Sequence, residues 1–142
     1  MLHLVHPALI HFAIAFLVSG AVCEAYGLLR GHAALERFGG VLFVAGALAL
    51  VPAIVSGYVA ANSLDVPPSA RELLELHERN GLVLFGLCSL TLLWKGWSGG
   101  RVAHAHRVAY AGLLAGAVVL TLTSAWLGGR MVYFAGVGTL GR

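Results

Sequence analysis

Residues 41–59, VLFVAGALALVPAIVSGYV, run without a charged side chain, and residues 108–127, VAYAGLLAGAVVLTLTSAWL, do the same. At about 1.5 Å per helical residue, either run crosses a hydrocarbon core of about 30 Å. In lipid every backbone N–H and C=O must find its partner inside the segment, so such runs fold as helices. The whole chain follows suit. It is 59% hydrophobic and only 11% charged over 142 residues, against about 25% charged in a soluble domain. That length allows one domain. Nineteen glycines with four prolines suit packed membrane helices. A net charge of +3, scattered and without basic blocks interleaved with aromatics, excludes a nucleic-acid surface.

Two further spans complete the pattern. Residues 7–29 begin at Pro7, which suits the first helical position, and carry His11 and Glu24. The opening MLHLVHP has no Lys or Arg, so this helix reads as a retained span rather than a secretory signal. The third apolar run, residues 81–94, is too short alone. It extends backward to the start signal Pro67-Pro68-Ser69, giving a helix that enters the membrane near His77. The expected fold is all-α, an integral membrane antiparallel four-helix bundle in a single domain. Its spans cover about 7–29, 39–61, 70–97 and 104–127, with an interfacial C-terminal tail over 128–142. Short connections make consecutive helices antiparallel neighbours and place helices one and three on a diagonal.

Arg30, Arg37, Lys95, Arg101 and Arg107 collect on one side, against Arg71, Arg79, Arg130 and Arg142 on the other. That basic excess predicts both termini on the periplasmic side of a bacterial inner membrane. Gly112 and Gly116 form a small-xxx-small pair for close packing within the subunit, or alternatively in a homodimer. Pro52 predicts a kink in helix two. Trp94, Trp97, Trp126 and Tyr133 read as interfacial aromatics. Cys23 and Cys88, inside apolar runs, read as small hydrophobes. Glu24 reads first as a residue that snorkels or pairs with Arg30, with a proton-relaying buried carboxylate as the alternative.

Seven histidines stand out among so few polar residues. His3, His6, His11 and His77 fall at one membrane face; His32, His104 and His106 fall at the other. An ionisable residue at membrane depth usually faces the interior. His11 is the most deeply placed, and His77 is its natural partner across the diagonal. Two facing imidazoles suit the axial positions of haem iron. Ala8 and Ala15 on the face of His11, and Gly81 one turn after His77, leave room for a flat ring, and Arg79 stands near to pair with propionates. For His11 and His77 this competes evenly with a hydrogen-bonded interior histidine. His6 is a weaker candidate ligand. His104 and His106 point in different directions on a helix and, beside Arg107, fit an interfacial set better than a second haem site. His3 and His32 read as solvated.

The opening VHPALIHFAIAFLVSG resembles the HPxxVHFPIAL segment of the domain of unknown function 2231 family, small bacterial membrane proteins with four predicted helices. The closing WLGGRMVYFAGVGT resembles that family's GGxLVYxHGVGV ending, and LELHERNG and HAHR fit the layout between. The matching positions are His6, Pro7, His11 and Phe12, then Gly128, Gly129, Val132, Tyr133, Gly136, Val137 and Gly138. Ala13 stands where the family pattern has proline, and Ala135 where it often has histidine. The resemblance implies the four-helix architecture and no particular activity.

The expected function is a membrane-bound b-type haem protein with bis-histidine ligation. It would pass electrons between a quinol or periplasmic redox protein and a partner, with one haem b and room for a second. One alternative is a transition-metal site at His6, His11 and His77. The other is a cofactor-free accessory subunit whose histidines hydrogen-bond between helices. No nucleophile–base pair, phosphate loop or paired carboxylates point to hydrolysis.

Overall fold

The computed structural model describes residues 5–63 and 66–137; His3, Asp65, Gly138 and Arg142 lie outside them. Four long helices follow one another: α1 (Val5–Arg30), α2 (Ala33–Ser63), α3 (Pro68–Trp97) and α4 (Arg107–Tyr133), the last preceded by a 3-10 turn at His104–His106. Pro68 opens α3 with its ring in the first turn, where no N–H is needed. Gly31, at φ 75°, ends α1, and Gly99 and Gly100, at φ 65° and 79°, turn the chain after α3. Side-chain-bearing residues seldom adopt that left-handed backbone.

Three helices are long and apolar enough to cross a membrane, over His6–Arg30, Ala33–Ser63 and His104–Tyr133. α3 falls short of that measure. Its first half carries Arg71, Glu72, Glu75, Glu78 and Arg79, and the apolar run behind them is short.

Several boundaries differ from those expected. Only Gly31 and His32 separate α1 from α2, so Arg37 is helical. α2 stays helical through Pro52. α4 runs on through Gly128 and Gly129 to Tyr133, so the segment expected as a tail from residue 128 begins as helix.

The most extensive contact is α1 on α2, then α3 on α4 and α1 on α4, whereas α2 and α3 touch lightly. The α1–α2 contact rests on glycine. A Cβ on Gly20 would stand 2.4 Å from the Phe43 amide nitrogen, one on Gly27 2.3 Å from that of Glu36, one on Gly39 2.2 Å from that of Glu24, and one on Gly46 2.7 Å from that of Leu17. The numbering therefore runs in opposite senses along the pair. The spacing is regular: Ala13, Gly20 and Gly27 recur every seven residues, as do Gly39, Gly46 and Ala53, and all are buried. A seven-residue repeat keeps one stripe of each helix facing the other. Since hydrocarbon is as apolar as leucine, close van der Waals packing of small residues is what joins helices there. Gly112 has open space around it, and Gly116 meets only the Leu87 side chain at 3.3 Å, so the expected small-residue contact is not where backbones approach.

Leu17, Ala21, Leu84, Cys88, Leu114 and Ala117 fill the interior. The free Cys88 is fully buried as a small hydrophobe. Large apolar side chains such as Val41, Leu48, Leu93, Val108 and Val119 point outward, which suits a lipid-facing surface. A Gly39→Ala change forces the two backbones apart, and overpacking of this kind costs about 1–3 kcal/mol or more. Gly112→Ala adds a methyl to open space and gains up to about 1 kcal/mol of helix propensity. Denaturation of the two variants in detergent, followed by circular dichroism, should therefore move in opposite directions.

Candidate functional site

The stripe that buries Ala13, Leu17, Ala21 and Leu28 of α1 also buries a carboxylate. Glu24 is 1% exposed. Lys95 of α3 forms an ion pair with its Oε1, and the Tyr110 hydroxyl of α4 donates to the same oxygen at 3.0 Å. Oε2 is buried and has no hydrogen-bond partner among the described residues. α2 supplies the space. A Cβ on Gly40 would lie 2.7 Å from Lys95 Nζ and 3.6 Å from the Glu24 carboxyl. The Lys95 side chain keeps 19% exposure, so the pair is open to the outside on the lysine side only.

Aromatic rings close the cluster. Trp94 meets Tyr110 edge-on at 6.0 Å and His106 at 6.0 Å, so it is half-buried against the site rather than part of an outer belt. Trp97 is 95% exposed and takes no part in the cluster. Arg107 Nε, behind His106, is buried without a hydrogen-bond partner among the described residues.

Glu24 thus neither snorkels nor pairs with Arg30. Arg30 instead lies over the Tyr26 ring at 5.9 Å. Lys95, expected among the basic residues of one membrane side, instead turns inward from the last turns of α3. Taking two charges out of water is expensive even when they meet, and a cofactor-free core is often more stable with apolar residues in their place. Ionisable groups retained at membrane depth mark function more often than stability.

A second polar group lies toward the other end. His6 Nδ1 approaches the Ala53 carbonyl at 2.9 Å and Ser56 Oγ at 3.1 Å. A carbonyl only accepts, so that contact puts the proton on Nδ1 and leaves the Nε2 lone pair free. A Cβ on Gly57 would come within 3.0 Å of the His6 ring, and one on Gly128 within 3.6 Å of the His77 ring. His77 Nδ1 is buried without a hydrogen-bond partner among the described residues; the Ser124 backbone faces it outside bonding geometry. His6 is near enough to His77 for its charge to be felt there. One turn on, Asn80 donates to the Leu120 carbonyl at 2.9 Å and to Ser124 Oγ at 2.7 Å.

The other expected site residues lie elsewhere. His11 is exposed, with Nδ1 against its own Pro7 carbonyl, and Ala8 and Ala15 are exposed on the same side. The geometry therefore gives His77 an interior neighbour in His6, not in His11. Arg79 is exposed, and Gly81 is half-buried with open space beside it. His104 and His106 are exposed in the 3-10 turn, and His32 is exposed and stacked on Tyr26. Among the described residues no three His, Cys, Asp or Glu side chains come together as a metal cage.

Removing one partner of a buried pair leaves the other uncompensated. Lys95→Met should cost about 3–5 kcal/mol. Tyr110→Phe, which deletes one hydrogen bond to a charged group, should cost about 1.5–3 kcal/mol. The Glu24→Gln, Lys95→Met double variant should lose less than the sum of the singles, which unfolding titrations in detergent would read.

A family model described as "Predicted membrane protein (DUF2231)" matches residues 2–141. No curated protein and no solved structure matches the chain. With a match over nearly every residue, and with three helices able to cross a membrane, the chain belongs to the DUF2231 family of predicted membrane proteins.

Proposed function

We propose that this protein is a four-span electron carrier of the bacterial inner membrane, with one b-type haem held by His6 and His77. In this reading α3 is the fourth span of an antiparallel four-helix bundle, and both termini face the periplasm. Support for the fourth span comes from α3 itself. It buries Leu84, Cys88 and Thr91 and turns Leu82, Val83, Leu90 and Leu93 outward.

The haem reading rests on one observation: a pair of histidines turned inward, with His6 Nδ1 tied to a carbonyl. Hydrogen bonding through one ring nitrogen orients a ligating histidine and frees the other nitrogen. Haem asks the protein for axial donors only, whereas a bare ion such as zinc asks for three or four, and no such set is gathered among the described residues. The glycines at 57 and 128 keep side-chain bulk away from both rings. Bound haem supplies one-electron exchange. A haem held by both His6 and His77 would have no position left for substrate, so its partners would be redox carriers: a quinol, or a periplasmic redox protein.

An absorption spectrum of protein purified from haem-replete cells tests this. Sharp α and Soret bands are expected on reduction, lost in His6→Ala and His77→Ala and kept in His11→Ala. A folded protein with no such bands removes the haem reading. Elemental analysis that finds stoichiometric metal without porphyrin replaces it with a metal site.

A further inference from the structure

The buried charges at the opposite end have no part in holding a haem at His6 and His77, and they carry an inference of their own. Glu24 lies six residues before the end of α1, about 9 Å along its axis. Its Oε1 takes both Lys95 and Tyr110, while its Oε2 takes no partner among the described residues. A structural ion pair is stable when all its lone pairs are satisfied, and this one leaves a carboxylate oxygen bare at 1% exposure. Protonation of Glu24 turns that bare oxygen into part of a neutral acid, which is far cheaper to bury. Lys95 is the one member with an opening to the outside.

We propose that Glu24, Lys95 and Tyr110 form a proton-loading site, in which Lys95 relays protons from water at its exposed edge to Glu24 Oε1. The N–H bond of the ammonium breaks as the O–H bond of the acid forms, giving a neutral amine and a neutral acid. A hydronium ion at the edge then reprotonates the amine and leaves as water. The site goes from net zero to one positive charge, and no electron is exchanged. Tyr110 holds the acceptor oxygen in place. Gly40 leaves the ammonium room to stand against the carboxyl.

The charged and titratable groups around the site come from every helix packed on it. α2 brings Glu36, whose charge is felt at Tyr110. α3 brings Lys95. α4 brings Tyr110, with His106 and Arg107 beyond Trp94.

Infrared difference spectra of the full chain in lipid nanodiscs, between neutral and acid pH, test the proposal. A protonated-carboxyl C=O band is expected that moves in heavy water, is absent in Glu24→Gln and shifts in Tyr110→Phe. The tyrosine variant assigns the band even where Glu24→Gln does not fold. After a pH jump the same band should rise at least about tenfold more slowly in Lys95→Arg, because a guanidinium keeps its proton. No carboxyl band sensitive to Tyr110 while the helices persist overturns the proposal. So does a Lys95→Arg band that rises at the wild-type rate, which would show that Glu24 is protonated without Lys95 as relay.

Discussion

Everything in this molecule depends on how closely α1 and α2 approach. A side chain at Gly20, Gly27, Gly39 or Gly46 would strike the opposing backbone. Without a hydrophobic driving force between helices in lipid, that contact is gained through packing alone. It also sets the candidate site. Gly39 lies against the backbone of Glu24, and its neighbour Gly40 is the gap that admits the Lys95 ammonium. One seam thus fixes both the register of the first two helices and the place where a carboxylate is held away from water.

The interior is polar toward each end and apolar between. His6, Ser56, His77, Asn80 and Ser124 gather at one end; Glu24, Lys95 and Tyr110 gather at the other. Leu17, Leu84, Leu114 and Ala117 fill the core. Thr91 and Thr121 are buried too, but each satisfies its hydroxyl on a carbonyl of its own helix. Polar groups near the ends keep a route to water that groups at mid-depth lack, and so are the less costly ones to retain.

Charge-free runs made the helices legible in the sequence, because length and hydropathy constrain a lipid-spanning segment directly. Which residues face inward was legible too, but only through the seven-residue spacing. His6, Ala13, Gly20 and Gly27 form one series, and Glu24 follows Leu17 and Ala21 on the buried stripe. His11 shares its outward side with Ala8, Phe12 and Ala15. Judging depth without helix phase therefore selected His11 over His6 and sent Glu24 toward Arg30. The pairing with Lys95 was harder to see. It depends on which way the last turns of α3 before Trp97 face, which the apolar run alone does not fix. The small residues that mattered were separated by seven, not four, so the Gly112–Gly116 pair drew attention from the real seam.

α3 explains why both polar groups exist where they do. It is the least apolar of the four helices, touches α2 only lightly, and makes no close backbone approach to α1. Yet the Glu24–Lys95 ion pair joins them across the interior. A helix with a small share of the packing needs directional contacts to fix its depth and rotation, and polar pairs give register where apolar faces slide. Asn80, bonded to Leu120 and Ser124, does the same toward α4. The Glu24–Lys95 pair that positions α3 is also the proposed proton-loading site, so a change that alters the pair will also alter how α3 is seated.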